Sequence, residues 1–77
     1  MYMLRCRDGE LYVGIATDVV ERVKRHNSGR ACRYTKYRRP VKLVYVERCS
    51  GYADARRREK AVKGYSREKK LELANVP

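Results

Sequence analysis

Tyr2 and Tyr12 stand on either side of a tight turn in the opening stretch YMLRCRDGELYVGI. A phenol fixed on a rigid strand can hold a water or pass a proton. The chain around the two phenols is strongly basic, with 20 Lys plus Arg against 9 Asp plus Glu and a formal net charge of +11. Two placed phenols on a surface that attracts polyanions point to chemistry on a phosphodiester.

Three further features could carry chemistry. Glu59 is an acid among Arg56, Arg57, Arg58, Lys60 and Lys63, on the stripe formed by Tyr52, Ala55, Glu59 and Val62. That stripe has the spacing of the inward face of an amphipathic helix. A carboxylate there is either ion-paired with a nearby Arg or a ligand for Mg²⁺ or Mn²⁺, hard cations that favour carboxylate oxygen. Arg22 and His26 are four apart on one helix face. They are either a solvated pair or a guanidinium fork for a phosphate oxygen beside an imidazole able to exchange protons near neutral pH. The stretch from Gly29 to Pro40 reads as a loop that carries Arg30, Arg33, Lys36, Arg38 and Arg39 and no acid, interleaved with Tyr34 and Tyr37. It is either a solubilising loop or a nucleic-acid contact, in which cations follow phosphates and rings stack on unpaired bases.

The elements that must position these residues follow from pattern. Tyr2–Cys6 and Leu11–Ile15 read as two antiparallel strands around Asp8-Gly9, a strong hairpin signal. A two-residue turn would put Tyr2 and Tyr12 on opposite faces. A three-residue loop, Arg7-Asp8-Gly9 with Gly9 left-handed, pairs Tyr2 with Gly14 and Leu4 with Tyr12, and both phenols then share one face. A common site requires the second register, which is therefore the one expected. A helix follows, opened by a capping box of Asp18 and Glu21, buried through Val19, Val20 and Val23, and closed at a left-handed Gly29. Val41–Val46 reads as a strand apolar on both faces and so well covered. A second helix spans Tyr52 to Lys63 and stops at Gly64; a third, capped by Ser66, ends before Pro77. The order is ββαβαα, an α/β (α+β) layered domain. A helical crossover makes the third strand parallel to the second and antiparallel to the first, which gives a three-stranded sheet of order 2-1-3.

With 77 residues the chain has room for one domain and one core, residues 1–77. Its charge favours nucleic acid over a membrane, since no apolar run approaches spanning length. With no signal peptide in view, the expected address is cytoplasmic. Cys6, Cys32 and Cys49 are odd in number, widely spaced and lack a C-x-x-C, which argues against a disulfide framework or a zinc site. Cys6 and Cys49 read as small strand residues. Cys32 lies in the basic stretch, where nearby cations could lower its pKa, but that alone carries no function.

The ordered set resembles the GIY-YIG nuclease domain across almost the whole chain. Met1-Tyr2 matches the end of the first motif and Tyr12-Val13-Gly14 the second, with Arg22, His26 and Glu59 in order behind them. Arg33-Tyr34-Thr35 and the run Ala55–Lys63 look like the small stand-alone members. The resemblance implies a metal-dependent endonuclease in which Glu59 holds one Mg²⁺ or Mn²⁺. It also implies that Tyr2, Tyr12 and His26 handle the attacking water and that Arg22 neutralises phosphate charge. DNA is favoured over RNA, with a structure-selective role in repair or recombination. A non-catalytic nucleic-acid-binding module on the same fold is the alternative. The first motif's usual opening glycine has no counterpart before Met1, so Tyr2 is expected near a frayed end. No appended domain is expected, so the choice of target is expected to fall to Arg30, Arg33, Tyr34, Lys36, Arg38 and Arg39 or to a larger protein partner.

Overall fold

A computed structural model describes residues 1–75. The elements in order are β1 (Tyr2–Arg5), β2 (Leu11–Gly14), α1 (Val19–Asn27), α2 (Arg33–Lys36), β3 (Lys42–Val46), α3 (Tyr52–Lys63) and α4 (Arg67–Leu73). The sheet order is β2-β1-β3 and both pairings are antiparallel, as the crossover argument requires. Residues 76 and 77 lie outside the described residues; α4, capped by Ser66, ends on the Ala74 cap, before Pro77 as expected.

The hairpin adopts the register that a shared site demands. The Cys6 N–H donates to Glu10 O at 2.8 Å and the Gly9 N–H to Cys6 O at 2.9 Å. Gly9 sits at φ +87°, a left-handed conformation that a Cβ would disfavour. The Asp8 carboxylate accepts from the Glu10 N–H at 3.1 Å and stiffens the loop. Tyr2 pairs with Gly14 and Leu4 with Tyr12.

As the middle strand, β1 has both faces covered. Met1 and Met3 pack with Leu11, Val13 and Val62 on the side of α3 and α4. Tyr2, Leu4 and Cys6 pack with Val41, Val19 and Val23 on the side of α1. Tyr2 is therefore not frayed. It is 0 % exposed, the Met1 ammonium donates to Glu47 O at 3.0 Å, and the Glu47 N–H returns a bond to Met1 O at 2.8 Å. Glu47 also takes the Arg58 guanidinium at 2.7 Å and the Tyr45 hydroxyl at 2.8 Å. One residue thus ties the chain start to α3.

Several expectations change. The stretch from Gly29 to Pro40 is not all loop, because Arg33–Lys36 form one helical turn, α2, which buries Thr35. In α1 the stripe facing the sheet is Val19, Arg22, Val23 and His26, at helical spacing, so Val20 falls on the flank and is 65 % exposed. β3 is an edge strand, paired only with β1, and Lys42 and Val46 at its ends are exposed. Cys49 lies in the connection from β3 to α3 rather than in a strand. In α3 the inward stripe begins at Ala55, since Tyr52 in the first turn is open to solvent.

The end of α1 is fixed by a Schellman motif, in which Gly29 N–H donates to His26 O and Arg30 N–H to Arg25 O, with Gly29 at φ +79°. Before that cap, the Asn27 side chain acts as a missing strand partner for Val41: its Oδ1 accepts the Val41 N–H at 2.7 Å and its Nδ2 donates to Val41 O at 3.1 Å. Asn27→Ala should lower the unfolding free energy by about 1–3 kcal/mol, because it strands the amide of buried Val41. Urea denaturation checks this, and an unchanged midpoint would show that water replaces both bonds.

Candidate active site

β1 and β2 bring the two phenols together, with ring centroids 6.3 Å apart. Gly14, the cross-strand partner of Tyr2, makes the approach possible. A Cβ there would lie 2.7 Å from the Tyr2 hydroxyl and 3.0 Å from the Tyr12 ring. The last turn of α1 adds His26, whose ring lies 5.9 Å from that of Tyr2 and 5.0 Å from that of Tyr12.

His26 is 1 % exposed, which removes the solvated-face reading. Its Nε2 is 2.8 Å from the Tyr2 hydroxyl and its Nδ1 is 2.7 Å from Thr35 Oγ1. When the Thr35 hydroxyl donates to Cys32 O, at 3.4 Å, its oxygen is left to accept from Nδ1–H, and Nε2 then accepts from the Tyr2 hydroxyl. In that tautomer Thr35 holds the imidazole with its unprotonated nitrogen toward Tyr2. Thr35 was not singled out as a site residue by sequence. Its signals there are a small hydroxyl residue in a stretch of cations and its place in the Arg33-Tyr34-Thr35 piece that resembles the small stand-alone members.

Burial raises the Tyr2 phenol above its ordinary value, and Arg22 beside it offsets part of that. Tyr12 rises further, through burial and then the neighbouring Cys32 and Tyr2, with no cation to oppose it. His26 falls below its ordinary 6.5 because it is buried and lies near Arg22 and Arg25, so the ring is neutral at pH 7. Burial would raise Cys32, but hydrogen bonds from Thr35 and Tyr12 outweigh it and the thiol falls below its usual range.

Arg22 is half-buried and reaches Ile15 O at 3.5 Å while standing against the Tyr2 phenol. Glu59 projects from α3, which packs on β2, and its charge contributes to raising both phenols. Its side chain is 14 % exposed and ion-paired with Lys63 at 3.1 Å, not with an arginine. No cluster of three or more His, Cys, Asp or Glu suited to a metal occurs among the described residues. A lone hard-oxygen donor still fits Mg²⁺ or Mn²⁺, which keep several waters and share substrate oxygens.

The basic stretch divides. Tyr34 packs on Tyr12 at 5.9 Å and carries the Arg38 guanidinium over its ring at 4.1 Å; Arg38 also pairs with Asp8 at 3.1 Å. These two brace the hairpin. The Arg39 guanidinium donates to Lys36 O and Asn27 O. Arg30, Arg33 and Lys36 stay exposed, with Arg30 bonded to Ser28 Oγ.

A family model, the GIY-YIG catalytic domain, matches residues 1–72. A UPF0213 protein of Staphylococcus saprophyticus is 47 % identical over 73 residues, 95 % of this chain and 89 % of the relative. One from Staphylococcus aureus is 49 % identical over the same shares. The solution NMR structure of a UPF0213 protein from Bacillus halodurans is 42 % identical and superposes with a TM-score of 0.60, over 96 % of this chain and 79 % of that one.

His26 is the chain's single histidine, so ring ¹⁵N NMR reads it without ambiguity. The Nδ1–H tautomer is expected, titrating below 6.5. Stability contributed by the buried neutral ring is then fully present above 6.5 and lost as pH falls through the folded value. Thr35→Val should redistribute the proton between the two nitrogens and Thr35→Ser should restore it. An unchanged spectrum in Thr35→Val would break the assignment.

Proposed function

The chain belongs to the GIY-YIG family, and from that premise we propose that it is a divalent-metal-dependent nuclease that hydrolyses DNA phosphodiester bonds. We read it as one nuclease domain, acting in the cytoplasm on structured DNA in repair or recombination, with a larger protein partner or its own basic stretch choosing the target. The observation that carries the reading is the convergence of Tyr2, Tyr12 and His26 on one face, with Arg22 against the Tyr2 phenol. A packed core has no need of a neutral histidine held in one tautomer beside a guanidinium.

Tyr2 is the proton relay in this reading. Its hydroxyl is hydrogen-bonded to His26 Nε2, so Tyr2 can take a proton from water as it gives its own to the neutral ring, which becomes imidazolium. Tyr2 is sealed in this structure, so in this reading Arg22 has to move onto the phosphate before water can reach the phenol. There the guanidinium neutralises charge that grows in the transition state. Tyr12 is half-buried and stays protonated, so it orients the water or a phosphate oxygen by donating to it. Glu59 would hold the metal, which supplies Lewis-acid polarisation of the phosphate when bound. Lys63 would give way from the carboxylate.

The test is cleavage of branched, nicked and single-stranded DNA, and of RNA, with Mg²⁺ or Mn²⁺. Glu59→Gln and Arg22→Ala should each lower the rate by about 10²-fold or more, and EDTA should stop it. Cleavage that survives Glu59→Gln and EDTA would sink this mechanism. Salt-dependent binding with no cleavage of any substrate would instead establish the non-catalytic binding module.

The exposed cations generate a separate expectation. Substituting Arg30, Arg33 and Lys36 by Ala should flatten the slope of log affinity against log salt by about 0.9 for each phosphate that is no longer neutralised. Unchanged slopes would mean that this stretch does not touch the backbone.

A further inference from the structure

We propose that the groove beside Tyr52 is a stacking subsite for one unpaired nucleobase of the substrate strand, adjacent to the scissile phosphate. This rests on the nuclease reading above and adds to it where the strand lies.

The groove has a volume of about 250 Å³ and is lined by Ile15, Ala16, Thr17, Arg22, Tyr52 and Ala55. That is below the roughly 300–1,000 Å³ of pockets that enclose drug-sized ligands, and it suits one planar ring system. Its composition is right for a base. Ile15, Ala16 and Ala55 are half-buried apolar residues, Thr17 offers a hydroxyl, and Tyr52 offers a ring that is 73 % exposed. A tyrosine so open on a helix whose inward stripe starts one turn later has no packing role that accounts for it. An aromatic face left in water is what stacking on bases uses.

Arg22 decides the occupant. It lines the groove and also stands against the Tyr2 phenol, so one guanidinium borders both the groove and the relay. A ring in the groove therefore lies beside a phosphate held at the relay, as a base lies beside the phosphate of its own nucleotide. The net charge of +11 favours a polyanion over a protein segment. The base must be unpaired, because a base within a duplex already has both faces covered by its neighbours. The other aromatics on the surface do not compete. Tyr34 is occupied by Tyr12 and Arg38, and Tyr37 opens on a different hollow with Arg7, Lys36 and Arg39.

The experiment measures binding in a Glu59→Gln background, so that cutting does not interfere. Affinities are compared for a frayed or flapped DNA and a blunt duplex. Tyr52→Ala should weaken binding to the flapped DNA by about 5- to 100-fold, the size of one lost base–aromatic stack, and leave the blunt duplex within about twofold. Tyr52→Phe should bind as the parent does. The chain has no tryptophan, so Tyr52→Trp places a single, selectively excitable indole at the subsite, and its emission should be quenched by the flapped DNA and not by the duplex. Parental affinity in Tyr52→Ala, equal loss on both DNAs, or an unquenched Tyr52→Trp overturns the subsite and leaves the nuclease reading standing. A parent that binds no nucleic acid overturns both.

Discussion

A phenol on the middle strand of a three-stranded sheet cannot reach solvent, and a buried hydroxyl without a partner costs on the order of 1–3 kcal/mol. That constraint organises the site. Tyr2 is sealed, so its hydroxyl needs an acceptor, and the acceptor is His26. The buried His26 then needs a partner for its second nitrogen, which brings in Thr35 and with it the single turn of α2. Each polar group is satisfied by drawing the next element inward. β1, α1 and α2 are thereby linked through one chain of buried hydrogen bonds. Gly14 completes the set by leaving room for the Tyr2 hydroxyl, so the sheet register and the Tyr2–His26 hydrogen bond are one constraint.

The few acids are used sparingly in the same way. Asp8 holds Arg38, Glu47 holds Arg58, Asp54 holds Arg57 and Glu59 holds Lys63. Exposed pairs of this kind contribute about 0–1 kcal/mol each, so their value lies more in position than in stability. Glu47 is the clearest case, because it clamps Met1 and Arg58 and so keeps the start of β1 and the helix of Glu59 in fixed relation. Glu59 is the most covered carboxylate of the four, which sets it apart from a surface ion pair.

Much of the fold was legible because period and turn chemistry agreed. The hairpin register followed from Gly9 and from the requirement that two phenols share a face, and α3 was bounded by its pattern and Gly64. The misses have physical causes. Val20 is as apolar as Val19, and only the rotation of α1 that buries Arg22 and His26 decides which one faces the sheet. Lys42–Val46 is apolar on both faces, yet a strand's coverage depends on which edge it occupies, and hydropathy does not encode that. Thr35 lies in the Arg33-Tyr34-Thr35 piece, but nothing in that piece shows its role, which exists only where the ring of His26 arrives. Tyr52 fits the inward spacing, but the first turn of a helix has nothing above it when the layer below ends sooner.

The burial that gives the site its geometry also works against its chemistry. Both phenols are pushed above their ordinary value of 10.0, away from the neutral range in which a base is useful. Every tenfold loss of acidity costs about 1.4 kcal/mol, so removing a proton from either residue in the resting arrangement is uphill. A positive charge brought close to the phenols reverses the sign, since it favours the phenolate while burial opposes it. Arg22 already does so in part at Tyr2 and not at Tyr12. Glu59, already paired with Lys63, is the last of the causes that raise both phenols, and a cation held there would offset that part. Neutralising Glu59 lowers that barrier whichever cation does it. A cation at Glu59 therefore acts in the direction that the proposed relay requires, while burial of the two phenols sets most of what has to be offset.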